Sequence, residues 1–152
     1  MLPLRRILLL GIVILAAALS VATPASAGGN LYHIRSFATQ QETLCLDSNG
    51  AEVYTTDCAD APLWELTLSG GGLFQIKLAG KNACLGNEDY FTVGMFVCSI
   101  PYKGDLWRTW DNGNSTELVN YNTDRYLSTD FSRSVYLAEE TQNQTWFFDV
   151  WT

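Results

Sequence analysis

The feature that most constrains this chain is a repeat. "LYHIR" at 31–35 matches "LFQIK" at 73–77 after a shift of 42 residues, pairing Tyr32 with Phe74, Ile34 with Ile76 and Arg35 with Lys77. Cys-Leu pairs follow at Cys45 and Cys84, second cysteines at Cys58 and Cys98, then "LWEL" at 63–66 and "LWRT" at 106–109. Leu118 opens a third copy without cysteines, in which "RYLSTD" at 125–130 and "TWFF" at 145–148 stand for the Cys-Leu and Leu-Trp segments. Leu46, Leu85 and Leu127 form one series and Trp64, Trp107 and Trp146 another, each advancing by about forty residues. A unit of that length is one supersecondary element that buries its apolar face only by stacking on its neighbours.

Within each unit the pattern is that of short strands. Phe74, Ile76 and Leu78 alternate with Gln75 and Lys77, and Val135 and Leu137 alternate likewise, so one face points inward. Asn49-Gly50, Gly70-Gly71-Gly72 and "DNGN" at 111–114 are turn signals between the runs. The expectation is an all-β domain of about twelve strands in three four-stranded units. Three blades are too few for a propeller, and a solenoid needs capping units. A closed barrel with a hairpin cap leaves no exposed edges.

The N-terminal 27 residues are set apart from this domain. Arg5 and Arg6 precede an apolar run from Ile7 to about Val21, and Ala25-Ser26-Ala27 ends the segment, which reads as a secretory signal. Removing 27 of 152 residues leaves 125, enough for one domain over 28–152 with repeats at about 31–72, 73–115 and 116–152. The two arginines leave with the signal, which takes the formal charge from −7 to −9. That surface repels phosphate backbones and anionic glycans, so no nucleic-acid partner is expected, nor any membrane association once the signal is gone. Four cysteines in an exported chain read as two disulfides. Of the three possible connectivities, Cys45–Cys58 with Cys84–Cys98 closes two short loops, worth about 3 kcal/mol each.

The order Cys-Leu-Asp, strand, Cys and Trp-centred segment, three times over the whole mature chain, resembles the ricin B-type β-trefoil lectins. Their Gln-x-Trp signature survives as Gln144-Thr145-Trp146, whereas Pro62-Leu63-Trp64 and Asp105-Leu106-Trp107 depart from it. The resemblance implies a β-trefoil with pseudo-threefold symmetry in which Trp64, Trp107 and Trp146 are core residues. It also implies one sugar site per repeat, built from the Asp after Cys-Leu, a Gln and an aromatic platform before the second Cys, and an Asn before the Gln-x-Trp segment.

Carried over position by position, each repeat keeps a different part of that site. The first keeps Asp47, with Tyr54 at the Gln position, Thr56 at the platform and Ala61 for the Asn. The second has Gly86 for the Asp but an aromatic platform, Phe96, with Gly104 and Asp105 at the amide positions. The third has Ser128 and Ala138 but retains Asn143-Gln144. Tyr54 and Tyr136, together with Asp89 and Asp130, fall on the same hairpin faces and are the residues able to rebuild a pocket; Tyr90 and Phe91 make the second repeat the most aromatic. A carboxylate or amide that pairs with vicinal hydroxyls, beside a ring that covers the sugar's apolar face, is the chemistry such sites need.

Other chemistry finds few residues. His33 is the sole histidine and reads as a surface residue, so neither a histidine zinc site nor a Ser-His-Asp arrangement has its parts. Glu139-Glu140 and Glu88-Asp89 are adjacent pairs, which a strand points to opposite faces. The expectation is a secreted, non-enzymatic binding module without cofactor or metal, directed at a neutral carbohydrate. The alternative is a trefoil that has lost sugar binding and engages an extracellular protein, as a subunit of a secreted assembly or an enzyme inhibitor.

Overall fold

A computed structural model describes residues 30–37, 44–98, 102–111, 116–130, 132–140 and 145–152. The proposed signal over 1–27 and the amide pair Asn143-Gln144 lie outside the described residues.

The described residues form twelve β-strands: β1 (Leu31–Ser36), β2 (Leu44–Ser48), β3 (Val53–Asp57), β4 (Trp64–Gly70), β5 (Leu73–Leu78), β6 (Ala83–Asn87), β7 (Val93–Val97), β8 (Trp107–Asp111), β9 (Thr116–Asn120), β10 (Arg125–Thr129), β11 (Val135–Ala138) and β12 (Thr145–Val150). A single 3-10 turn, Lys103–Asp105, precedes β8. All pairings are antiparallel. β1 pairs β4, β4 pairs β5, β5 pairs β8, β8 pairs β9, β9 pairs β12 and β12 returns to β1, so six strands close a barrel. The other six form the hairpins β2–β3, β6–β7 and β10–β11. This is the β-trefoil arrangement of three four-stranded repeats.

Four residue series build the core, one member from each repeat. Ile34, Ile76 and Leu118 come from the first strands, Leu46, Leu85 and Leu127 from the second, Val53, Val93 and Val135 from the third, and Trp64, Trp107 and Trp146 from the fourth. All three tryptophans are inaccessible. Each indole N–H donates to the carbonyl of the leucine in its own repeat: Trp64 to Leu46 at 3.1 Å, Trp107 to Leu85 at 2.8 Å and Trp146 to Leu127 at 2.8 Å. The one polar atom of each ring is thereby satisfied inside an apolar core.

The hairpin registers show which positions correspond. Cys45 lies opposite Thr56, Cys84 opposite Phe96 and Tyr126 opposite Ala138. The disulfides Cys45–Cys58 and Cys84–Cys98 tie the first two hairpins to the chain that leaves them, with Cα separations of 4.8 and 5.1 Å. Two disulfides indicate an oxidising environment. The third hairpin has Tyr126 in the cysteine position and is joined to its neighbours instead, through Thr55 N–H to the Arg133 carbonyl at 2.9 Å and Leu137 N–H to the Phe91 carbonyl at 2.7 Å. Among the described residues no helix is long and apolar enough to cross a membrane.

Candidate functional site

In the first repeat the strand register brings Asp47 opposite Tyr54 on the outer side of the β2–β3 hairpin, since the preceding pair, Leu46 opposite Thr55, takes the inner side. Asp47 Oδ1 accepts from Ser48 N–H at 2.6 Å, and Tyr54 stands opposite Asp47 across the strand pair. Burial, followed by the nearby charge of Asp47, pushes the Tyr54 phenol up from its ordinary value. The result is a partly exposed carboxylate held beside a phenol, with Thr56 two residues on in place of a ring. Such a pair both accepts from and donates to hydroxyl groups.

The second repeat is closed by its own side chains. A β-carbon on Gly86 would stand 3.0 Å from Phe96 Cδ2 and 3.1 Å from the Gly104 carbonyl oxygen. The Phe96 ring therefore occupies the space that an aspartate side chain would enter, and Tyr102 lies beyond it with ring centroids 6.4 Å apart. Gly104 is required by a second close approach: a β-carbon there would meet the Tyr102 ring, and Asn87 Oδ1 at 2.7 Å. Asp105, at the signature Gln position, is fully buried and accepts from Gln75 Nε2 at 2.8 Å, which ties the turn to the barrel. Asn120 Nδ2 reaches the Gly104 carbonyl at 2.8 Å from the next repeat.

In the third repeat Tyr136 lies opposite Ser128, and Ala138 offers no platform. Asn143 and Gln144, which complete this set, lie outside the described residues.

Asp89 and Asp130 sit at the hairpin tips and hold turns. Asp89 Oδ1 accepts from Phe91 N–H at 2.7 Å and Thr92 N–H at 2.8 Å. Asp130 Oδ1 accepts from Ser132 N–H at 2.9 Å, Ser132 Oγ at 2.6 Å and Ser134 N–H at 3.0 Å. Asn49 Oδ1 does the same in the first repeat, toward Ala51 N–H at 3.0 Å and Glu52 N–H at 2.9 Å. Backbone hydrogen bonds hold the Asp89 carboxyl below its usual range, and the Ser132 hydroxyl does so first for Asp130. An Asp or Asn in a hairpin turn that accepts from backbone N–H groups two to four residues on is the side-chain-to-backbone turn pattern.

Between the three hairpin tips lies a shallow depression of about 520 Å³, lined by Val53, Val93 and Val135 with Tyr54, Glu88 and Arg133. A second depression, about 490 Å³, is lined by residues of the barrel strands, including Tyr32, Leu66, Phe74 and Phe148. His33 lies on the outward side of β1, beside the buried Ile34, as its place in the repeat implied. It is half-buried and packs edge-on against Trp151, with centroids 5.3 Å apart. Among the described residues no three His, Cys, Asp or Glu side chains are grouped to hold a metal.

No protein-family model matches this sequence, and no curated protein matches it. Solved structures do. The chain is similar to the designed threefold-symmetric protein ThreeFoil, at 18% identity and a TM-score of 0.67 over 78% of this chain and 96% of that one. It is similar to SeviL bound to the asialo-GM1 saccharide, at 14% identity and 0.64 over 80% and 98%. It is also similar to the Polyporus squamosus lectin bound to a human-type influenza-binding epitope, at 17% identity and 0.65 over 81% of this chain and 50% of that one. At these identities the likeness carries the architecture alone, and it agrees with the barrel and three hairpins described above: the chain is a β-trefoil.

Proposed function

We propose that residues 28–152 are a secreted carbohydrate-binding module for a neutral sugar, released from the signal at 1–27, without catalytic activity. The observation that carries this reading is the Asp47–Tyr54 pair, a partly exposed carboxylate set opposite a phenol in the strand register, at the position where lectins of this architecture place their sugar-binding aspartate. Two similar structures, SeviL and the Polyporus squamosus lectin, are described with saccharides bound, which supports the same direction. The mature charge of −9, that is −7 less the two leader arginines, favours neutral over anionic glycans. The mature protein displayed multivalently on a glycan array tests the reading: neutral glycans are expected to bind, and a blank array refutes it.

One observation favours the second reading, a trefoil that engages an extracellular protein. Phe96 and Tyr102 close the second repeat's pocket and present aromatic surface there instead. A stoichiometric partner recovered from culture supernatant, together with a blank array, is the outcome that selects it.

A further inference from the structure

At the seam between the second and third hairpins, two rings and a guanidinium form a cluster that the Asp47 face does not use. Tyr90 and Phe91, at the tip joining β6 to β7, are 54% and 58% exposed. Their rings meet edge to face, with centroids 5.3 Å apart. Arg125, at the start of β10, is only 8% exposed, and its guanidinium carbon lies 4.1 Å from the Tyr90 centroid and 4.5 Å from that of Phe91. Arg125 Nη2 donates to Glu139 Oε1 at 3.1 Å, and the Glu139 side chain is largely exposed. Arg125 Nε is buried with no hydrogen-bond partner among the described residues. The tip is rigid from below as well, since Asp89 caps its turn and the Phe91 carbonyl accepts from Leu137 N–H.

We infer that this seam is a sugar-stacking subsite: the exposed face of one of the two nearly perpendicular rings, Tyr90 or Phe91, supplies the platform, the other ring flanks it, Glu139 accepts from hydroxyls at its edge, and Arg125 is the positioning residue beneath. The inference rests on the carbohydrate reading above and adds a contact on a face separate from Asp47. Three observations select a terminal neutral pyranose as the occupant. One face of each ring is taken by Arg125, which leaves the exposed side for a ligand with an apolar C–H face. Two half-exposed rings amount to an area of roughly 200 Å², the scale of one or two sugar rings and well short of the roughly 800 Å² per partner that a protein interface needs. Arg125 and Glu139 cancel in charge and Asp89 adds a negative charge in the same tip, so the patch has no net attraction for an anion. Because the rings are already fixed by the guanidinium, little side-chain freedom is lost on binding.

The test uses soluble glycopolymers with β-galactosyl, N-acetylglucosaminyl or mannosyl ends, and a sialylated polymer as the anionic control. Tyr90→Ala/Phe91→Ala is expected to weaken binding of the preferred neutral polymer about tenfold or more, the loss of the stacking face and of the ring that flanks it. Tyr90→Phe keeps the stacking face and is expected to stay within about twofold of the wild type. In wild-type protein with isotope-labelled Tyr and Phe, the Tyr90 and Phe91 ring resonances are expected to shift with added sugar, which requires no folded variant. Unchanged affinity of the double variant, or rings unmoved by a sugar that binds, overturns the seam site and leaves the carbohydrate reading standing. A wild-type protein that binds no polymer overturns both.

Discussion

Replacing Trp146 by Phe separates a core role for the tryptophan series from a ligand role. Trp146 is inaccessible, and its indole N–H donates to the Leu127 carbonyl at 2.8 Å. Phe has no donor, so a buried carbonyl loses its partner at a cost of about 1–3 kcal/mol. The smaller ring leaves a void of roughly 40 Å³, about 1 kcal/mol at the measured cavity slope. Together the loss is about 2–4 kcal/mol, a substantial part of a typical domain's 5–15 kcal/mol. For a domain of this size that lowers the melting temperature by roughly 10 °C. Urea and thermal unfolding followed by circular dichroism read it out. Trp110→Phe is the control: Trp110 is 58% exposed, and its substitution is expected to change stability by less than about 0.5 kcal/mol. If Trp146→Phe is as mild as the control, or abolishes glycan binding at unaltered stability, the core assignment is wrong.

Three further outcomes are expected. Removing the second disulfide with Cys84→Ala/Cys98→Ala should cost about 3 kcal/mol in denaturant titration, from a 14-residue sequence separation. Gly86→Asp should not restore a sugar site, because Phe96 Cδ2 and the Gly104 carbonyl crowd the new side chain; it should destabilise by about 1–3 kcal/mol and leave the glycan profile unchanged. Asp89 and Asp130 have folded-state values below the ordinary carboxylate value of about 3.9. Their contribution is therefore present above that value and lost as pH falls through the depressed one, so melts from pH 7 to 2 should show stability falling below about pH 4, with a shallower fall in Asp89→Asn/Asp130→Asn.

The fold was legible because its signals are local and recur three times. The Leu and Trp series, the strand alternation and the cysteine spacing each point to a buried position, and Leu46, Leu85, Leu127, Trp64, Trp107 and Trp146 are all inaccessible. The strand order that closes the barrel follows from none of them singly, since β4 pairs with β5 of the next repeat and β12 returns to β1.

The site was legible in pieces and not in its couplings. Gly86 and Phe96 read as one part lost and one part kept, yet they are a single packing decision, because the ring fills the space over the glycine. Asp89 and Asp130 read as ligand candidates because a carboxylate on a hairpin face looks available; the structure spends them on turn hydrogen bonds, a role that Asp and Asn commonly take in turns. Arg125 did not stand out at all, because the rings that it supports lie 35 and 34 positions earlier in the chain and in a different repeat. His33 faces outward as its place in the repeat implied, but its edge-on packing on Trp151 could not be read, because Trp151 belongs to no repeat series.

The most direct test of the carbohydrate reading is the binding isotherm of mature wild type and Asp47→Asn on an immobilised neutral glycopolymer. The variant keeps the shape and removes the charge. Loss of a charge-assisted hydrogen bond is expected to weaken binding about tenfold to a hundredfold at unchanged melting temperature. Equal affinity of the two proteins would contradict the role given to Asp47.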